Sequence, residues 1–203
     1  MAKVHPNRVD SDLPATSAPA AAYGTGGEGA AVLTVWRKSL LLNFDGFTVF
    51  DAKGDLVFRV DNYASGSRWE VVLMGAAGEP LLTIRRKKLS LGEHWLVYEG
   101  EGGDRPRFSV KKHANVLQGK ALAQVTRCGL DAEGGGTYEV EGSYARRCCA
   151  VYDEQRRVVA EIKRKEATGG VRFGGDVFRL VVQPGFDAAV AMAIVVLLEQ
   201  MFG

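Results

Sequence analysis

The sequence predicts a mainly β fold: a closed antiparallel barrel built from repeated hairpins, with a hydrophobic helix at the C-terminus running through it. Three observations carry this. From Val32 onward, short apolar runs alternate with turn residues rich in Gly and Asp, the pattern of a sandwich or barrel. Several segments repeat one strand–turn–strand template. The chain then closes with an apolar stretch that has no polar face and is too short to cross a bilayer.

The elements follow in order. Residues 1–30 are rich in Ala, Gly, Pro and Ser and nearly free of branched apolar side chains. Such a segment cannot offset its ordering entropy by burial, so a flexible tail is expected there, ahead of a single domain over residues 31–203. Val32–Trp36 opens the domain as a strand. Val49–Val60, Leu73–Ile84 and Val151–Ile162 then match position for position as strand, polar turn, strand, and Val97–Val110 is a version with a longer turn. Gly54 and Gly78 fall where such a turn asks for a positive φ, which glycine adopts without steric cost. A lone hairpin is barely stable in water, so several must share one sheet, and closing that sheet removes its exposed edges. Residues 69–73, 121–125, 137–142 and 177–182 supply further strands, and residues 131–136 read as a loop.

The last element is expected at about 186–201. Asp187 is a plausible N-cap behind Pro184 and Gly185, and eleven consecutive apolar residues run from Ala188 to Leu198. A helix that is apolar all round belongs inside a protein or a membrane. At about 1.5 Å per residue the segment reaches roughly 24 Å, short of a hydrocarbon core of roughly 30 Å. A core helix is the expectation and a tail anchor the alternative; no transmembrane span is expected.

Composition excludes several classes of function. The net charge of +2 is too small for nucleic-acid binding by bulk electrostatics, so nucleic acid is not the expected ligand and any basic site must be local. Cys128, Cys148 and Cys149 include two neighbours and no CxxC spacing, which suits free thiols in a reducing compartment rather than disulfides or zinc. The N-terminus lacks a signal-peptide pattern, and the expected location is cytoplasmic. Cys148 and Cys149 alternate across a strand, so one should face the core. Asp51, Asp55, Asp153 and Glu154 sit in turns, where they favour the backbone geometry. His94 and His113 flank strands and read as structural or solvated. Glycine-rich stretches at 100–103 and 134–136 lack the context of a nucleotide site. No catalytic residue, cofactor or metal is expected.

One local feature stands out. The position after the hairpin template is basic in three units: Arg85, Arg86, Lys87 and Lys88; Lys111 and Lys112; Lys163, Arg164 and Lys165. In the first unit it is Asp61. Second strands of successive hairpins run the same way, so Arg86, Lys112 and Arg164 should lie on one face. Three readings apply to these clusters: solubilising strand ends that block edge pairing, a site for an anionic lipid headgroup, or a site for nucleic-acid phosphate.

The wording of the chain adds a resemblance. Leu33–Leu40, Asp45–Asp51 and Gly54–Tyr63, continued by Leu89 and Trp95–Gly100, resemble the plant LURP-one-related family over about residues 31–201. The architecture is similar to the tubby C-terminal fold. The resemblance implies a twelve-stranded barrel around a central helix. Its wider superfamily includes tubby proteins, which tether to plasma-membrane phosphoinositides and are tied to transcription, and phospholipid scramblases. It therefore implies a non-enzymatic tethering protein, peripheral at the plasma membrane or nuclear, with anionic phospholipid or a protein as partner and a role in plant defence signalling. A scramblase-like or enzymatic activity in a barrel pocket is the alternative. The family has no assigned catalytic residues to carry over.

Overall fold

The computed structural model describes residues 29–40, 46–61, 70–90, 92–113, 121–129, 136–165 and 174–203. The expected tail, apart from residues 29 and 30, lies outside the described residues, as do Trp69, Asn62, Tyr63 and most of the 131–136 loop.

Twelve strands form one closed barrel. They are β1 (Ala31–Trp36), β2 (Gly46–Phe50), β3 (Leu56–Asp61), β4 (Glu70–Gly75), β5 (Pro80–Arg86), β6 (His94–Glu99), β7 (Pro106–Lys112), β8 (Ala121–Arg127), β9 (Thr137–Ser143), β10 (Cys148–Tyr152), β11 (Val158–Arg164) and β12 (Val177–Val182). Each pairs antiparallel with its chain neighbours, and β1 closes the ring on β12 from Ala31↔Val182 to Trp36↔Val177. Closure leaves no open edge for another chain to extend.

The repeated template is one physical device. Asp51, Gly75 and Asp153 each donate a backbone N–H to the carbonyl four residues on, and Gly54, Gly78 and Arg156 each donate back to the first carbonyl of the turn. A register shift precedes each of these turns. Gly54 and Gly78 have φ of 91° and 93°, as the sequence predicts. In the third copy Arg156 takes the left-handed position with φ 61°. Its guanidinium there meets Glu139 at 2.9 Å and Glu141 at 2.8 Å and lies 4.3 Å from the Tyr152 ring centre, contacts a glycine could not supply.

The pleat sends alternate residues inward. Leu33 and Val35, Phe58 and Val60, Leu82 and Ile84, and Phe178 and Leu180 are pairs of this kind, all buried. They enclose α1 (Ala188–Phe202), in which every residue from Ala188 to Leu198 is buried. The helix begins and ends one to two residues later than the sequence suggests, because Phe186 packs edge-on against Tyr138 and Asp187 caps the first turn. The Asp187 carboxylate accepts the backbone N–H of Ala189 at 2.8 Å. Arg107 holds its other oxygen at 3.1 Å. Gly185, with φ 85°, turns the chain from β12 back into the barrel. No helix among the described residues is long and apolar enough to cross a membrane.

This topology gives the barrel two unlike ends. The β2–β3, β4–β5, β6–β7 and β10–β11 turns share one end with the start of the helix. The opposite end carries the termini of the odd-numbered strands and the last turn of the helix.

Candidate functional site

Because β5, β7 and β11 run in the same direction, all three basic clusters reach the same end of the barrel. They do not form one continuous patch. Only β6 separates β5 from β7, whereas β11 stands across the ring from β5. The pleat then divides the basic residues by role.

Of those on the inward register, Lys112 serves the helix. Lys112 Nζ donates to the carbonyl of Met201 at 2.7 Å, pairs with Glu93 at 2.9 Å and lies 4.4 Å from the centre of the Phe202 ring. A lysine there satisfies a terminal carbonyl that has no intrahelical partner and opposes the negative end of the helix dipole. Glu199 draws in Arg37 at 2.7 Å and Arg147 at 3.7 Å and accepts a hydrogen bond from the Tyr144 hydroxyl at 2.9 Å. Burial and the Glu199 charge push the Tyr144 hydroxyl far above its ordinary range, so it stays a donor. Arg147 is itself buried and stacks between Tyr144 and Phe178. Sequence reasoning offers Lys112 as a ligand contact; the structure gives it a structural task. It misses Arg37, Arg147 and Tyr144, which lie outside the hairpin template and meet only through the fold.

Asp61, the exception to the basic pattern, also finds its reason. Its side chain is fully buried, pairs with Arg59 at 3.0 Å and accepts a 2.5 Å hydrogen bond from Ser39, tying the segment after β1 to the end of β3.

Two of the outward residues are likewise engaged. Arg85 pairs with Glu70 at 2.7 Å and folds over Tyr98 toward the Glu101 carbonyl. Lys163 pairs with Glu161 at 2.9 Å. Arg86 and Lys165 are half-buried, and Arg164 is exposed.

Lys87, Lys88, Lys111 and the exposed Arg164 remain, the three lysines in the β5–β7 sector and Arg164 across the ring. All three lysines are exposed, and none has a carboxylate within ion-pair distance among the described residues. His94 lies between them on β6: its carbonyl accepts the Lys87 N–H at 2.8 Å, and Lys111 is its cross-strand partner. Its Nε2 is 2.7 Å from Ser109 Oγ. Partial burial, then the charges of Lys87 and Lys111, hold the imidazole below its usual pKa. One residue beyond Lys88, Leu89 is 96% exposed. On the β1 side of the same end, Leu40 is 48% and Trp36 40% exposed, with Lys38 over the indole at 5.4 Å. Sequence reasoning set His94 aside as a strand-end residue. Its signal was register: pairing β5, β6 and β7 in sequence aligns it with both lysines.

The other end holds a surface cleft of about 510 Å³ lined by residues that include Tyr138, Asp153, Glu154, Arg157 and Phe186. Its carboxylates are occupied. Glu154 accepts the N–H groups of Gly136 and Thr137 at 3.0 and 3.1 Å, and Asp153 accepts the Arg157 N–H and pairs with its guanidinium at 2.8 Å. Those backbone bonds hold Glu154 below its ordinary pKa, so it is a poor proton donor near neutrality. Cys149 faces the core and Cys148 is exposed, as the strand alternation predicts. Burial pushes the Cys149 thiol up to about 12, the opposite of what a nucleophile needs. No group of three His, Cys, Asp or Glu able to hold a metal occurs among the described residues.

The sequence model of the LURP-one-related family matches residues 31–199. The chain belongs to that family. It is 52% identical to the Arabidopsis thaliana protein LURP-one-related 8 over 177 residues, covering 85% of this chain and 88% of the relative. It is 44% identical to LURP-one-related 17 of the same plant, covering 98% and 95%. An X-ray structure of an Arabidopsis thaliana protein superposes with a TM-score of 0.61 at 26% identity, covering 85% of this chain and 91% of that one. The barrel and its central helix are thus shared with a solved structure. The family name assigns no reaction.

Proposed function

We propose that this LURP-one-related chain is a non-enzymatic tethering module that docks on anionic phospholipid through the β5–β7 sector of its basic end. The observation that carries the reading is three exposed lysines with no carboxylate partner among the described residues, at the same end of the barrel as Leu89, a leucine left almost wholly in water. Buried cations elsewhere at this end have assigned partners; among the described residues these have no carboxylate partner. Basic side chains near an anionic leaflet contribute about 1 kcal/mol each, so the lysines supply about 3 kcal/mol. Removing the Leu89 side chain from water adds about 2 kcal/mol. Neither term alone anchors a protein, and together they describe reversible attachment. The net charge of +2 leaves the rest of the surface near neutral, so this sector orients the barrel.

In this reading the barrel is a rigid scaffold whose attachment and release relay a signal. The tie to plant defence and to membrane-held transcription regulators rests on the family resemblance alone. Flotation with neutral phosphatidylcholine vesicles and with vesicles carrying phosphatidylserine or phosphoinositide, at two salt concentrations, tests it. Binding to the anionic vesicles only, weaker at the higher salt, is the expected result. Equal binding to neutral and anionic vesicles, or none to either, overturns it.

A further inference from the structure

His94 on β6 and Lys111 on β7 are cross-strand partners, and Lys87, the residue directly after β5, donates its N–H to the His94 carbonyl, so the three stand side by side at one level of the outer wall. Neighbouring strands are about 4.8 Å apart, so the row presents three nitrogen-bearing side chains to one point in front of β6. We propose that this row is a phosphate-monoester site: it binds the terminal phosphate of a membrane lipid, with His94 as a third, protonatable donor between the two lysines.

The proposal rests on the docking reading and gives it a chemical class. A phosphodiester headgroup offers a single negative charge on its phosphate. A monoester offers three acceptor oxygens and a charge of about −1.5 to −2 near neutrality. Two lysines alone would take either. An imidazolium between two ammonium groups is disfavoured by their repulsion, and only an anion that outweighs that repulsion draws the proton on. Ser109 already occupies Nε2, leaving Nδ1 as the donor for the incoming oxygen. Among the described residues the surroundings supply no competing anion. Glu93, next along the chain, is paired with Lys112, and Glu70 is paired with Arg85. Among the described residues the groups facing His94 are Lys87, directly after β5, and Ser109 and Lys111 from β7, with Lys88 next along the chain. Leu89, exposed one residue after Lys88, selects a bilayer over a free phosphate, because only a bilayer offers its side chain an apolar environment.

Linkage fixes the direction of the pH effect. The free protein holds His94 below its ordinary pKa. A bound anion raises that value, so affinity gains as pH falls through the bound-state pKa, and the gain is complete below the free-state one. The lipid phosphate loses charge over the same range, so His94→Gln, which keeps a polar partner for Ser109, serves as the reference.

The test uses the full chain and vesicles of phosphatidic acid or phosphatidylserine in phosphatidylcholine, matched in surface potential. Wild type is expected to prefer phosphatidic acid. Its preference should grow about 5-fold more than that of His94→Gln between pH 7.5 and 6, a modest coupling. NMR titration of the wild-type imidazole, with and without phosphatidic acid nanodiscs, should show the His94 midpoint move upward on binding. If wild type binds both lipids alike, or His94→Gln keeps the same preference and pH profile and the midpoint does not move, the monoester site is overturned while docking stands. If wild type binds neither lipid, docking and the monoester site fall together. The NMR arm decides should the variant fail to fold.

Discussion

The turn carboxylates at one end of the barrel and the outward lysines at the other handle charge in opposite ways. At the hairpin end, several turn carboxylates and guanidinium groups are consumed locally. Asp51 accepts the N–H groups of Lys53 and Asp55, Asp153 and Glu154 hold backbone N–H groups, and Arg156 and Arg157 meet carboxylates. At the other end Lys87, Lys88 and Lys111 have no such partner among the described residues. The difference follows from hydrogen-bond capacity. A turn carboxylate is an acceptor surrounded by N–H groups that the tight turn leaves without ladder partners. A strand-end lysine is only a donor and must find a carbonyl or carboxylate. Facing inward, it finds the last carbonyls of the helix; facing outward here, it finds solvent. One residue type at neighbouring positions thus supports structure or an interface according to the pleat.

Replacing the outward lysines should break this contrast most. With Lys87, Lys88 and Lys111 all changed to Gln, about 3 kcal/mol of attraction is lost, and partition onto anionic vesicles should fall about 100-fold. The thermal midpoint should stay near the wild-type value, because exposed substitutions away from caps and pairs shift stability little. A comparable fall in the midpoint would show that these lysines are structural after all.

Lys112→Met should do the reverse. It leaves the Met201 carbonyl and Glu93 without their partner and should cost about 1–3 kcal/mol in urea denaturation, with vesicle partition reduced far less than in the triple variant. Strong loss of partition at unchanged stability would mean that the inward register is also a lipid contact.

The smallest effect is expected at the hairpin end. Asp187→Ala removes the cap from Ala189 and Val190 and the pair with Arg107, and should cost about 1 kcal/mol. Vesicle binding should not change, since the cap lies at the far end of the helix. Changed binding would show that the two ends communicate through α1.

Much of the fold was legible in the chain because its signals are local and periodic. The repeated hairpins declared themselves through alternation and through Gly54 and Gly78, whose positive φ the sequence predicts. The terminal helix declared itself through an apolar run too short for a bilayer. Arg156 was not legible as a left-handed residue, because the pairs with Glu139 and Glu141 that accompany it come from another strand. The candidate site was legible only as three basic clusters. Which members were engaged depended on partners distant in sequence, as with Lys112 and Met201.

Alternation, turn chemistry and the apolar terminal segment, all written within a few residues of each other, determined by themselves that this protein is a barrel around a helix. Only the tertiary structure decided which strand ends share an arc of the ring, which cations the helix terminus takes, and that His94 stands between two lysines. The physical reason is range: backbone propensity and burial pattern act along the chain, whereas electrostatic pairing acts through space and is fixed only once the ring closes.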